Sequence, residues 1–285
     1  MQRSFKIDKR LAFSLIELSV VILVIGILVI GITQGSRIMN EAKLKSARAL
    51  TASSPVAATS GLVMWLESTS EKSFDTGVGN GGLVQNWYDT NPQSNTKYNA
   101  TQSTSTKRPT YTKNAINGLP AILFDGIQDT TNGDFMDLTD SLVTDPRNWT
   151  TFVVFKNISG TGLVIGATSG YRYYISRGAT SFNFQVGDGG STSMLVTSND
   201  PGIVILNSSN GVYTGTAVTN KTSGSNTSTP SPSTALLTGL NIGSYSDGTN
   251  SFFNGYVAEV IMFNRPLKMA EQNGIRDYLA SKWGL

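Results

Sequence analysis

The sequence predicts a mainly β protein, in which a long hydrophobic N-terminal helix precedes a two-sheet sandwich closed by a C-terminal helix. Residues 13–32, FSLIELSVVILVIGILVIGI, hold one charge, Glu17, and no proline. From residue 61 the chain turns into short apolar or alternating runs separated by Gly, Asn, Asp and Ser clusters, the texture of many short strands joined by turns. After Asn264-Arg265-Pro266, apolar residues recur at helical spacing.

The first twelve residues form a basic leader, with Arg3, Lys6, Lys9 and Arg10 against Asp8. These side chains supply all of the net charge of +3 carried by the 285 residues, so the remainder is near neutral. Twenty residues of this predominantly apolar stretch, at about 1.5 Å each, span the roughly 30 Å hydrocarbon core of a bilayer. A basic leader before such a segment places the N-terminus in the cytoplasm. The downstream flank is basic too (Arg37, Lys43, Lys45 and Arg48 against Glu41), so charge alone does not orient the segment. No proline occurs before Pro55, and a weak apolar stripe (Ile38, Met39, Ala42, Ala49, Leu50) carries the helix on through residues 13–52. Gly26, Gly31 and Gly35 permit close approach of neighbouring helices, or local melting, or are ordinary membrane glycines. Ser53-Ser54-Pro55 ends the helix, and residues 53–60 read as a linker.

Residues 61–285 read as one β domain. Its strand candidates are 62–67, 83–89, 121–125, 151–156, 163–167, 171–176, 182–186, 203–207 and 256–263. Residues 220–234, NKTSGSNTSTPSPST, read as an exposed polar loop. Leu267, Ile275, Tyr278, Leu279 and Trp283 mark the closing helix. The chain has neither cysteine nor histidine, which excludes Cys/His zinc sites, Ser-His-Asp chemistry and cysteine nucleophiles. The charge distribution is not a nucleic-acid footprint.

The run KRLAFSLIELSVVILVIGIL resembles the prepilin segment of the type IV pilin and type II secretion pseudopilin superfamily. The resemblance implies cleavage between Ala12 and Phe13 by a prepilin peptidase, methylation of the new amine on Phe13, and a subunit that leaves the bacterial inner membrane for a periplasmic or extracellular filament. Ala12 stands where the family usually has glycine, and the family's mid-helix proline is missing. Glu17 becomes the fifth residue of the mature chain. A carboxylate among Ile16, Leu18 and Val20 costs several kcal/mol, of order 3 on insertion scales, unless it is paired. The Phe13 amine of a neighbouring subunit is a suitable partner, giving Glu17 an assembly role. A signal peptide has a shorter apolar region of about 7–15 residues. A plain single-pass anchor fits the length but explains neither Glu17 nor the Lys9–Phe13 junction.

A second resemblance rests on GLVMWLES, NWYD at 86–89, RPTY at 108–111, INGLPAILFDG at 116–126 and the ending FNGYVAEVIMFNRPLKMAEQNGIRDYLASKWGL. These look like a laminin-G-like domain of the concanavalin A-like lectin and glucanase class, a jelly roll of two antiparallel sheets. That class implies glycan or protein binding at a surface. The glucanase carboxylate pattern is missing: Glu259 stands alone in an apolar strand, with Glu67 and Glu71 at a strand end, so no catalytic residue is assigned and the chain is expected not to be an enzyme. No cofactor is expected beyond a candidate calcium at Asp125 and Asp134, in a stretch that also holds Asp129 and Asp137. Tyr171 and Tyr173, on one face of a strand, are the candidate ligand contacts, with Tyr174 on the other. The reading is a minor or tip pilin-like subunit displaying a lectin-like adhesive domain. A type II secretion pseudopilin and a membrane-anchored glycan-binding protein or glycan hydrolase stand as alternatives.

Overall fold

The computed structural model describes residues 14–138, 147–169, 173–178, 181–186, 192–195, 200–219, 223–228, 238–245 and 251–285. Ala12, Phe13 and Tyr171 lie outside them. Two compact units result, one ending at Ala42 and the other Lys43–Leu285.

Helix α1 (Leu15–Ala52) is 38 residues long, about 57 Å at the usual rise. By length and composition it is able to cross a membrane. Its apolar residues from Leu15 to Ile32 are exposed. At its start the Ser14 amide donates to Glu17 Oε2 at 2.9 Å, which satisfies one of the amides a helix leaves unpaired.

The body's strands are β1 (Leu62–Glu67), β2 (Asn86–Trp87), β3 (Ala100–Thr101), β4 (Thr110–Ile116), β5 (Leu119–Asp125) and β6 (Met136–Leu138). They continue with β7 (Trp149–Asn157), β8 (Gly162–Ser169), β9 (Tyr173–Arg177), β10 (Ser181–Val186) and β11 (Thr192–Leu195). The last are β12 (Gly202–Ser209), β13 (Val212–Thr219), β14 (Ser223–Ser228), β15 (Thr238–Ile242) and β16 (Asn254–Phe263), before helix α2 (Met269–Trp283).

Two antiparallel sheets form a jelly-roll sandwich. Sheet A runs β14-β13-β12-β7-β16-β5-β4, and sheet B runs β11-β10-β9-β8-β15-β6-β3-β2. On β16, residues 254–257 pair with β5, and the C-terminal half pairs with β1, which sets Glu259 opposite Glu67. The stretch expected to be loop at 220–234 therefore supplies an edge strand, β14. Paired against β13 from Tyr213–Ser228 to Val218–Ser223, it needs a partner's backbone more than apolar side chains.

The centre of sheet A is buried on both faces, which is why β7 carries the unbroken apolar run Phe152-Val153-Val154-Phe155. Val153, Phe155, Val204 and Val260 face sheet B and meet Ile165, Ile175, Phe182 and Phe184. Phe152, Val154, Ile205 and Ile261 face the other way, onto Ile275, Leu279 and Trp283 of α2 and onto Ala47 near the end of α1. The sandwich thus has one face covered by helix. Among the described residues, no helix covers the outer face of sheet B.

Candidate functional site

That outer face is set by the alternation of β9. Tyr173, Ile175 and Arg177 point inward and are buried, so Tyr174 and Ser176 point out. Cross-strand register puts Asn183 of β10 opposite Ser176, and Gly166 of β8 opposite Tyr174. Tyr245 arrives from the segment after β15, its carbonyl accepting from Asn241 Nδ2 and Ser244 Oγ, both at 2.8 Å. The rings of Tyr174 and Tyr245 stand 6.4 Å apart at 52°. They flank a cleft of about 640 Å3 lined also by Ser176, Asn183, Gln128 and Asn254.

The cleft's wall is stitched before any ligand arrives. Gln128 Nε2 donates to the carbonyls of Phe252 (2.7 Å) and Gly126 (3.0 Å), and its Oε1 accepts from the Phe252 amide (3.2 Å). Asn254 Nδ2 donates to Ser159 Oγ at 3.0 Å. Segment 252–254 passes so close that a Cβ on Gly162 would sit 2.5 Å from the Phe252 carbonyl oxygen. One on Gly126, whose φ is +70°, would sit 2.4 Å from Asn254 Cβ. Arg177 closes the floor, donating from one terminal nitrogen to the carbonyls of Gly178 (2.5 Å) and Ser181 (3.0 Å) with its guanidinium over the Phe182 ring. Two phenol rings beside amides and hydroxyls offer apolar faces to sugar C–H groups and donors and acceptors to sugar hydroxyls.

Tyr173 is not a ligand contact, contrary to the sequence expectation. Its ring lies in the core, 2% exposed, and its hydroxyl donates to Thr151 Oγ1 at 2.5 Å; burial pushes its ionisation far up. Tyr174 takes the surface place. The signal was legible, since Ile175 belongs to a core and fixes the parity of its neighbours.

Asp125 and Asp134 do come together: the Asp125 amide donates to Asp134 Oδ2 at 3.2 Å, and burial together with the Asp125 charge pushes Asp134 up to about 7. Asp125 Oδ1 also accepts from the Ile127 amide, while Asp129 Oδ1 accepts from the amides of Thr131 and Asn132 in its own turn. Among the described residues no three acidic side chains gather as a metal cluster.

Glu67 and Glu259 meet in a buried knot, while Glu71 is exposed and pairs with Arg48. Lys282 Nζ donates to Glu67 Oε2 at 3.0 Å and to Glu259 Oε2 at 2.9 Å, so one buried ammonium bridges the two carboxylates. Glu259 also accepts from Trp65 Nε1, Tyr278 Oη and Trp283 Nε1. Burial works against the charge on Glu67, but Lys282 and the Thr69 hydrogen bonds outweigh it and hold the carboxyl below its ordinary range.

No protein-family model and no curated protein matches this sequence. Solved structures do share the fold. The Trypanosoma rangeli sialidase in complex with the inhibitor DANA is 12% identical at a TM-score of 0.51, over 79% of this chain and 34% of that one. A GH54 α-L-arabinofuranosidase soaked with a cyclic sulfate inhibitor is 11% identical at 0.52, over 70% of this chain and 51% of that one. This chain therefore spans about a third to a half of the chains it resembles, and at such identity the likeness shows the fold. It also corrects the expectation of a non-enzyme, because the chains that share the fold are named for glycan-cleaving activities.

Proposed function

We propose that this chain is a membrane-anchored envelope protein whose β body engages glycan in the Tyr174–Tyr245 cleft, and whose anchor is a prepilin-type helix that enters a filament. The observation that carries the binding half is the layering: helices occupy the outer face of sheet A, and the aromatic, amide-lined cleft opens on the outer face of sheet B. The filament half is supported by α1. Its apolar residues are exposed over five turns, and a Cβ on Gly26, Gly31 or Gly35 would meet no atom of the chain within 4 Å. Folding of the single chain does not ask for those glycines, whereas close packing of helix on helix does. In this reading prepilin peptidase cuts before Phe13, and Glu17 meets the new amine of a neighbouring subunit.

The test is a glycan array probed with the full chain in a neutral detergent. Retention on a defined set of glycans, lost in Tyr174→Ala and kept in Tyr173→Phe, is expected; no retention, or equal loss in both variants, would refute the cleft. A second reading, an anchored glycan hydrolase, is favoured by the two glycosidase neighbours. Its test is release of reducing ends from the glycans retained on the array.

A further inference from the structure

We infer that a second cavity, beside the last turn of α1, is a binding site for a primary ammonium group carried on a short apolar stem. The cavity is about 710 Å3; Trp65, Ala52, Ala57 and Pro92 supply its apolar lining, and Glu67, Asp89, Glu71, Arg48 and Lys72 its charged lining. It lies apart from the cleft and does not depend on the glycan reading.

Hydrogen-bond accounting shows what the charged lining lacks. Glu259 Oε1 accepts from Trp65 Nε1 and Tyr278 Oη, and its Oε2 from Lys282 and Trp283. Asp89 accepts three backbone amides, from Trp65 and Asn91 on Oδ1 and from Tyr98 on Oδ2. Glu67 is different. Its Oε2 takes the Thr69 amide, the Thr69 hydroxyl and Lys282 Nζ, while its Oε1 takes no donor among the described residues. Yet Glu67 is 1% exposed.

The charges lean the same way. Two buried carboxylates, Glu67 and Glu259, share one buried ammonium, Lys282, and the charge nearest Asp89 is that of Lys97. The other cations near the mouth are engaged or solvated: Arg48 donates from Nε to the Thr69 carbonyl and from a terminal nitrogen to Glu71, Lys97 donates to the Asn91 carbonyl, and Lys72 is exposed at the rim. A carboxylate oxygen that lacks a protein donor beside a cavity can take one from a ligand, and an incoming ammonium supplies both the donor and a countercharge. Its stem would lie on the Trp65 wall, where ring and cation attract. A lysine side chain of a partner and an amino sugar share this chemistry.

Ligand-observed NMR on the full chain in neutral detergent at pH 7 tests the inference, with two matched pairs: Nα-acetyl-lysine methylamide against its norleucine analogue, and glucosamine against N-acetylglucosamine. In at least one pair the amine should bind tenfold or more tightly than its uncharged match, and the pair that does so names the source. Ala52→Trp fills the mouth without touching a carboxylate and should weaken that binding at least tenfold; Glu67→Gln should do the same. Tyr174→Ala should leave it unchanged, which separates this site from the glycan cleft. Equal binding within both pairs, or undiminished binding to Ala52→Trp, would overturn it.

Discussion

Replacing Lys282 with methionine keeps the length and bulk of the stem and removes the ammonium that bridges Glu67 Oε2 (3.0 Å) and Glu259 Oε2 (2.9 Å). Glu67 keeps its two Thr69 donors and Glu259 its three ring donors, but the two buried carboxylates are left without the cation they share. Breaking a buried pair from one side costs about 3–5 kcal/mol. For a body of this size each kcal/mol moves the melting temperature by roughly 2–4 °C, so a fall of about 6–20 °C is expected at pH 7. The pH dependence is the sharper signature. In the wild type, Glu67 ionises below its ordinary range, so its contribution is present above about pH 4.3 and is lost as pH falls through the lowered folded value. In the variant one carboxylate of the pair takes up a proton in the folded state, so the deficit should shrink as pH falls from 7 to 5. Thermal unfolding followed by near-ultraviolet circular dichroism at several pH values measures both. A variant within about 1 kcal/mol of wild type at pH 7, with a parallel pH profile, would refute the knot as a charge-compensated core.

Asp134→Asn should behave in the opposite sense. With the folded Asp134 raised to about 7, the wild type loses stability as pH rises from about 4 to 7, so the variant should gain on the order of 1–2 kcal/mol at pH 8 and match wild type at pH 4, as urea midpoints would read. Gly162→Val drives a side chain into the Phe252 carbonyl and should cost at least tenfold in glycan retention along with stability. Intact-mass analysis from native membranes should find a chain beginning at methylated Phe13, with Glu17→Ala processed but missing from sheared filaments; a chain beginning at Met1 would remove the prepilin proposal.

The helices and the inner strands were legible because each is governed by a strong local signal. Pro55 and the apolar run bound α1 to within two residues, and Leu62–Glu67 was read at its observed limits. Strands β7, β12 and β16 stood out because burial on both faces gives each an unbroken apolar run, at 152–155, 203–206 and 260–263. What escaped was held by pairing instead of by side chains: β13 and β14, rich in Ser, Thr and Gly, exist because β12 offers them a ladder. The cleft escaped for a related reason. Gln128, Asn183, Tyr245 and Asn254 come from four separate segments, and only the register of sheet B and the close approaches at Gly126 and Gly162 bring them together. Glu67 and Glu259 were visible as residues, but their junction through Lys282 depends on α2 lying over sheet A.

The measurement that bears most directly on the account is the affinity of the full chain for its best array glycan, set beside those of Tyr174→Ala, Tyr245→Ala and Tyr173→Phe. The account predicts that either outward tyrosine, once truncated, costs tenfold or more, about 1.4 kcal/mol, while Tyr173→Phe binds as wild type and loses only about 1 kcal/mol of stability. Wild-type affinity in both outward variants would contradict it and move the ligand off the outer face of sheet B.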